Sequence, residues 1–164
     1  CLSDGVREAD ESNPNGYYEL EAIKTLKKDN SFLEKANGHC LKIISQLLVF
    51  VPKKYKEQYR VIMVHRDITE VLQSQSKMIK RDSKKKSILT DEQLSDSFRK
   101  QMYLCEKFIE NSGISALHLP YHRCIEEPLE YCEKIRNFLG VPVDVESMVK
   151  HINPSLYRNR NKDN

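Results

Sequence analysis

The most constraining feature of the sequence is an almost unbroken apolar run, YRVIMV, at residues 59–64. A strand that is apolar on both faces is typical of a parallel sheet covered by helices on its two sides. Two further runs predict strands of the same kind, CLKII at residues 40–44 and ISALHL at residues 114–119. We therefore expect three strands in one sheet.

Helical patterns separate these predicted strands. After the central run, apolar residues recur at helical spacing, and Asp67 and Glu70 stand three apart as in a capping box. Thr90 and Gln93 form a second capping box at the start of a helix predicted over residues 90–111. Further helices are predicted over residues 17–28, 32–36, 128–139 and 145–152. Alternation of this kind predicts an α/β fold, a parallel sheet flanked by helices.

The composition is that of a single, mildly basic domain over residues 1–164. The net charge is +3 and the pI is about 8.5. Nucleic-acid-binding domains typically have a pI above about 9, so this chain is less basic than they are. This charge suits an anionic small-molecule ligand equally well, and no nucleic acid is expected as a partner. The lysine-rich residues 77–86 could contact nucleic acid or lipid, but such charge runs are commonly solvated loops.

No targeting or membrane-spanning segment is visible. No apolar run reaches the length of a transmembrane helix, and no signal-peptide pattern occurs, so a cytoplasmic protein without membrane contact is expected. The five cysteines form no CxxC pair, which indicates buried reduced thiols rather than a disulfide framework. His118, His122 and Cys124 lack the paired spacing of zinc ligands, so no metal site is predicted.

Arg66 stands where the central predicted strand ends and the next helix begins. Ligands of open parallel sheets bind at the carboxyl ends of strands, and a helix N-terminus favours anions through its free N–H groups and its dipole. The guanidinium fork matches phosphate oxygens. Ser74 lies seven residues after Asp67, nearly two turns and roughly 10 Å along the same side of the helix. The pattern indicates one phosphate held by both side chains; the alternative is a solvated or ion-paired arginine and an inert serine.

Residues 65–74, HRDITEVLQS, resemble the 3′-phosphate-binding motif of sulfotransferases. In that family an arginine at a strand end and a serine eight residues later hold the 3′-phosphate of the donor, 3′-phosphoadenosine 5′-phosphosulfate (PAPS). Four more segments are similar to a bacterial-type branch of the family: NPNGYYE at residues 13–19, residues 40–44 with Lys42, FLG at residues 138–140, and NPSLYR at residues 153–158. The ordered set spans nearly the whole chain.

The resemblance implies a sulfotransferase-like fold, a three-layer architecture similar to P-loop NTPases. It implies transfer of a sulfuryl group from PAPS to a hydroxyl or amine of a small-molecule or glycan acceptor, with 3′-phosphoadenosine 5′-phosphate (PAP) as product. In this chain Arg66 and Ser74 would bind the 3′-phosphate. Arg158 and Arg160 are placed like the family's C-terminal basic segment, which also holds this phosphate, although the family's Arg-Lys-Gly triplet is missing.

Two parts of the family pattern are not found in the sequence. None of the five glycines lies in the strand–loop–helix context of the loop that holds the 5′-phosphosulfate. The expectation is a chain that begins after that loop and is N-terminally incomplete. The alternative is a non-catalytic nucleotide-binding or interaction module that keeps the fold and lacks the loop.

The catalytic base is the second missing part. Sulfuryl transfer needs a base for the acceptor proton and cations for the developing charge. In cytosolic relatives the base is a histidine near the end of the strand that matches residues 40–44, where this chain has Ser45. The candidates for catalysis are therefore Lys42, Ser45 and Glu19. A lysine in a strand is more often a solvated edge residue, and for Glu19 a position in the first turn of a helix is the favoured interpretation.

Overall fold

A computed structural model of the chain describes residues 1–10, 13–81 and 90–158, with the backbone alone at residues 77–81. The chain forms two compact units. The first unit comprises Cys1–Lys56 and Gln101–Ser112, and the second comprises Glu57–Lys100 and Gly113–Asn164.

The second unit contains a two-stranded parallel sheet. Strand β1 (Arg60–His65) pairs with strand β2 (Ser115–Pro120), residue for residue, along the whole length of both. Parallel strands at the apolar runs 59–64 and 114–119 are thus confirmed to within one residue. The α/β class, a small parallel sheet flanked by helices, is confirmed as well.

The third predicted strand, at residues 40–44, is wrong. These residues have no regular secondary structure, and helix α1 (Ser45–Leu48) begins directly after them. Their side chains alternate between exposed and half-buried positions. The carbonyl of Cys40 accepts a hydrogen bond from the Leu2 N–H (2.8 Å), so this segment is paired with the N-terminal residues of the chain rather than with a sheet.

In the part of the chain that the structure describes, five helices follow α1. They are α2 (Ile68–Arg81), α3 (Asp91–Ser112), α4 (Tyr121–Glu126), α5 (Pro128–Leu139) and α6 (Val145–His151). Within the second unit, α4 and α5 pack against β2 and against each other, and α6 packs against α5. Helix α4 is not predicted from the sequence because β2 runs straight into it at Pro120, with no glycine or polar turn between them. Over the described residues, no helix is long and apolar enough to cross a bilayer.

The two predicted capping boxes differ in outcome. At α3, Thr90 N–H donates to Gln93 Oε1 (2.9 Å) and Gln93 N–H donates to Thr90 Oγ1 (3.2 Å), so this capping box is confirmed. At α2, the Asp67 carboxylate accepts a hydrogen bond from the Thr69 N–H (2.8 Å), but the Glu70 side chain is bonded elsewhere. At the Asp67–Glu70 pair, Asp67 therefore caps the helix through Thr69, while the Glu70 carboxylate bonds to Arg66 and Tyr157.

The first unit is built mainly from short 3₁₀ helices and loops. The predicted helix over residues 17–28 is a 3₁₀ helix of five residues, Glu21–Thr25. It cannot begin earlier because Tyr18 has a positive φ of 49° and Leu20 is extended. Further 3₁₀ helices among the described residues are Ser31–Ala36, Lys53–Gln58 and Pro154–Leu156. The buried apolar residues of this unit include Ile23, Leu26, Leu33, Ala36 and Leu48.

Gly140 ends α5 in the left-handed conformation (φ 65°, ψ 19°) and donates its N–H to the Arg136 carbonyl. A Cβ at this position would meet no atom within 4 Å, so substitution costs only backbone strain. We expect Gly140→Ala to lower the free energy of unfolding by about 1 kcal/mol, and Gly140→Asn by less, because Asn tolerates this conformation. Urea denaturation measures both, and equal losses would contradict the backbone explanation.

Candidate functional site

Arg66 lies at the carboxyl end of β1, directly before the Asp67 cap of α2, as the sequence predicts. Its side chain is 26% exposed, and its Nε donates a hydrogen bond to Glu70 Oε2 at 3.0 Å. The i,i+4 spacing allows this because Arg66 immediately precedes the helix that carries Glu70. Arg66 is therefore ion-paired without being buried.

Glu70 is the buried partner of this pair. It is 2% exposed, and its second carboxylate oxygen, Oε1, accepts a hydrogen bond from the Tyr157 hydroxyl at 2.6 Å. An ionised carboxylate is costly to bury unless charge and hydrogen bonds compensate it. The guanidinium and the hydroxyl supply that compensation, and they tie α2 to the segment after the last 3₁₀ helix.

Two tyrosine rings complete the surroundings of Arg66. The guanidinium carbon lies 4.9 Å from the ring centroid of Tyr121 and 5.4 Å from that of Tyr157. The two rings pack edge to face, with centroids 5.1 Å apart. We call Arg66, Glu70, Tyr121 and Tyr157 the Arg66 cluster. Cation–π contacts and the carboxylate hold the guanidinium in place.

The terminal nitrogens of Arg66 remain available in this arrangement. Among residues 1–10, 13–81 and 90–158, no hydrogen bond reaches Nη1 or Nη2 of Arg66. These two groups carry four of the five N–H donors of a guanidinium. The Arg66 cluster therefore presents a fixed cationic fork that an anion can engage.

Ser74 lies in α2, two turns beyond the cap, and is half-buried. The described part of the chain contains no hydrogen bond between Ser74 and Arg66. The two predicted phosphate ligands are thus in one unit, Arg66 in the link between β1 and α2 and Ser74 within α2, but they are not bonded to each other.

The helix N-terminus itself differs from the expectation. The sequence predicts free backbone N–H groups there, but the Asp67 carboxylate accepts from the Thr69 N–H and from the Thr69 hydroxyl. These hydrogen bonds outweigh the effect of burial and lower the pKa of Asp67, which keeps its negative charge at the start of the helix. An anion at this edge of the sheet would therefore meet one fewer free N–H group and a negative carboxylate beside it, so the Arg66 guanidinium becomes the more important part of the site.

The predicted C-terminal phosphate ligands are only partly described. Arg158 is exposed and follows Tyr157 directly, so it is adjacent in sequence to the Arg66 cluster. Arg160 lies outside the described residues.

The catalytic candidates Glu19 and Lys42 are paired with each other in the first unit. Lys42 Nζ donates to Glu19 Oε1 and to the Tyr17 carbonyl, both at 3.1 Å. Arg7 Nη1 donates to Glu19 Oε2 at 3.3 Å, and its guanidinium stacks on the Tyr17 ring. We call Arg7, Tyr17, Glu19 and Lys42 the Glu19 cluster.

Glu19 is a weak base in this setting. Partial burial raises the pKa of Glu19, but the hydrogen bonds and charges of Lys42 and Arg7 outweigh it and hold the pKa below its ordinary value. Its place just before the 3₁₀ helix also differs from the expected first helical turn.

Ser45 is the first residue of α1 and is half-buried. Its hydroxyl donates to Gln46 Oε1 (3.3 Å), while its carbonyl accepts from Gln101 Nε2 (3.2 Å) and from the Cys105 thiol (3.1 Å). These contacts connect α1 to the second half of α3 within the first unit and indicate a packing role.

Sequence reasoning misses the roles of Glu70, Tyr121 and Tyr157. The spacing of Arg66 and Glu70 is a usable signal for an ion pair, whereas the tyrosine contacts join residues far apart in the chain. It also misses a pair of stacked imidazole rings, those of His65 on β1 and His118 on β2. The Nε2 atom of His65 lies 2.8 Å from the Nδ1 atom of His118. The strand assignment alone does not reveal that pair, because the register of β1 on β2 sets it.

Comparisons with protein-family models, curated proteins and solved structures found no match to this chain.

Removal of the Tyr157 hydroxyl tests the buried carboxylate. We expect Tyr157→Phe to lower the free energy of unfolding by about 1.5–3 kcal/mol, because the buried, charged carboxylate of Glu70 then loses one of its hydrogen bonds. Tyr103→Phe is the matched control, since Tyr103 is 61% exposed, and its change should stay within about 0.5 kcal/mol. Similar losses in both variants by urea denaturation would argue against the Glu70 contact.

The Glu19 cluster makes a pH-dependent contribution to stability. The folded-state pKa of Glu19 lies below its ordinary value of 4.5, so the stabilisation is present above about pH 4.5 and is lost as the pH falls through the folded pKa. At pH 7 we expect Glu19→Gln to cost about 0.5–1 kcal/mol, and the difference from the parent chain should shrink on acidification. Glu8→Gln, at an exposed position, is the control; a pH-independent cost for Glu19→Gln would refute the assignment.

Proposed function

We propose that the chain is a sulfotransferase-like protein in which Arg66 and Ser74 hold the 3′-phosphate of PAPS. The 3′-phosphate would bridge the terminal nitrogens of Arg66 and the hydroxyl of Ser74. The rest of the proposal, namely PAPS as the sulfuryl donor, a hydroxyl or amine as the acceptor and the transfer between them, follows from the resemblance of the ordered segments to sulfotransferases.

The observation that carries the proposal is the contact of Tyr157 with Glu70. Two segments that resemble different parts of the sulfotransferase pattern, residues 65–74 and residues 153–158, meet at the Arg66 cluster through this 2.6 Å hydrogen bond. The resemblance implies such a meeting, because both segments serve the same 3′-phosphate in the family. Nothing in the local sequence of either segment requires it.

The electrostatics of the Arg66 cluster also support phosphate binding. Glu70 neutralises one edge of the guanidinium through Nε, and Arg66 keeps partial exposure together with its terminal donors. A phosphate that engages these donors would form charge-assisted hydrogen bonds of matching planar geometry. The tyrosine rings restrict the side chain beforehand, which lowers the entropic cost of binding.

The non-catalytic alternative is favoured by one observation in the first unit. Glu19 and Lys42, both candidates for catalysis, neutralise each other in the Glu19 cluster, and the pKa of Glu19 is lowered. A carboxylate held in this way is poorly suited to take a proton at neutral pH. Under this alternative the chain binds the nucleotide and performs no sulfuryl transfer.

Calorimetric titration with two nucleotides tests the 3′-phosphate assignment. PAP carries the 3′-phosphate and adenosine 5′-monophosphate (AMP) does not, so the ratio of their affinities isolates that group. We expect PAP to bind roughly 10- to 100-fold more tightly than AMP, the worth of one or two charge-assisted hydrogen bonds. Arg66→Lys should abolish most of this preference because a lysine lacks the fork, and Ser74→Ala should reduce it.

Two further variants serve as controls for this titration. Ser76→Ala changes the next serine of α2, which lies on another side of the helix, and should leave the PAP preference unchanged. Arg66→Ala combined with Glu70→Gln removes the charge without leaving a buried carboxylate unpaired. A full PAP preference in either Arg66 variant would refute the site.

A further inference from the structure

The N-terminal segment brings two exposed thiols together in the first unit. The sulfur of Cys1 lies 3.1 Å from the sulfur of Cys40, and both side chains are exposed. This differs from the buried thiols expected from the sequence. The contact joins positions 39 residues apart in the chain, so it depends on the fold and not on local geometry.

Backbone contacts hold the two cysteines in this arrangement. Next to Cys1, the Leu2 N–H donates to the Cys40 carbonyl at 2.8 Å. Further along, the Asp4 N–H donates to the Glu19 carbonyl (3.3 Å), and the Asp4 carboxylate accepts from the Glu21 N–H (2.6 Å). The N-terminal residues are therefore attached at three points, which keeps Cys1 beside Cys40.

The other three thiols are in a different environment. Cys105 and Cys132 are buried and Cys124 is half-buried, and burial raises the pKa of each of these thiols. The thiolate is the reactive form of cysteine, so raised pKa values and burial both slow thiol–disulfide exchange. Exposure and proximity single out Cys1 and Cys40 for this reaction.

We propose that Cys1 and Cys40 form an oxidisable dithiol that closes to an intramolecular disulfide by exchange with a low-molecular-weight disulfide such as glutathione disulfide. One cysteine thiolate attacks a sulfur of glutathione disulfide, forms a mixed disulfide and releases one glutathione. The second cysteine thiolate attacks the protein sulfur of that mixed disulfide and releases the second glutathione. Two protein thiols are oxidised, one glutathione disulfide is reduced to two glutathione molecules, and the two protons pass to the released thiolates.

Equilibration of the full chain in glutathione redox buffers tests the pair. After acid quenching and alkylation, intact mass and peptide mapping should show a Cys1–Cys40 link, with the remaining three of the five cysteines alkylated. The equilibrium constant has units of concentration and measures how close the folded chain holds the two thiols. We expect it to exceed the value in denaturant by at least about tenfold, since a flexible tether supplies only about millimolar effective concentration.

Matched variants make the outcome decisive. Cys40→Ser should stop at the mixed disulfide with glutathione on Cys1, and Asp4→Ala should lower the equilibrium constant by removing one attachment of the segment. Cys124→Ser should behave as the parent chain does. A constant that is the same in native and denaturing buffer, or a link that involves any of the other three cysteines, would overturn the proposal.

Discussion

The arrangement of the candidate site depends on one buried carboxylate. Glu70 is almost fully removed from solvent, and it is compensated by the Arg66 guanidinium and the Tyr157 hydroxyl. Because an uncompensated carboxylate would cost several kcal/mol, both partners are held in place as long as the unit is folded. The same pairing positions Arg66 at the end of β1 with its terminal donors unoccupied among the described residues. The pairing of Glu70 with Arg66 and Tyr157 thus stabilises the unit and also positions the proposed phosphate site.

This coupling explains why the site lies where a strand becomes a helix. The strand end places Arg66, the first turn of α2 places Glu70, and the end of β2 places Tyr121 at the start of α4. Tyr157 then joins from the C-terminal segment. The helix dipole contributes less to anion binding than the sequence suggests, since the Asp67 carboxylate already accepts from the Thr69 N–H and places a negative charge at the first turn. The ligand chemistry proposed for the site therefore depends on a side-chain cation.

The elements that sequence reasoning predicts correctly are those with local signals. Continuous apolar runs identify β1 and β2, the reciprocal Thr90–Gln93 pattern identifies the start of α3, and Gly140 identifies the end of α5. The apolar run at residues 40–44 carries a similar local signal but forms no strand. Its hydrogen-bond partner is Leu2, and no local pattern indicates that pairing.

The candidate site shows the same division between local and distant information. The sequence correctly predicts the position of Arg66, but it assigns Glu70 to a capping box. In the folded chain, that carboxylate bonds to Arg66 and Tyr157. Because Glu70 is buried, compensation of its charge stabilises the fold more than a solvent-exposed capping bond would. A contact between residues 87 positions apart cannot be read from spacing.

The most direct test of the central claim is a crystal structure of the chain with PAP bound. The account predicts 3′-phosphate oxygens within about 2.7–3.0 Å of the terminal nitrogens of Arg66 and of the Ser74 hydroxyl, with Glu70 still bonded to Arg66 Nε and to Tyr157. A nucleotide bound elsewhere, or a 3′-phosphate that contacts neither Arg66 nor Ser74, would contradict it.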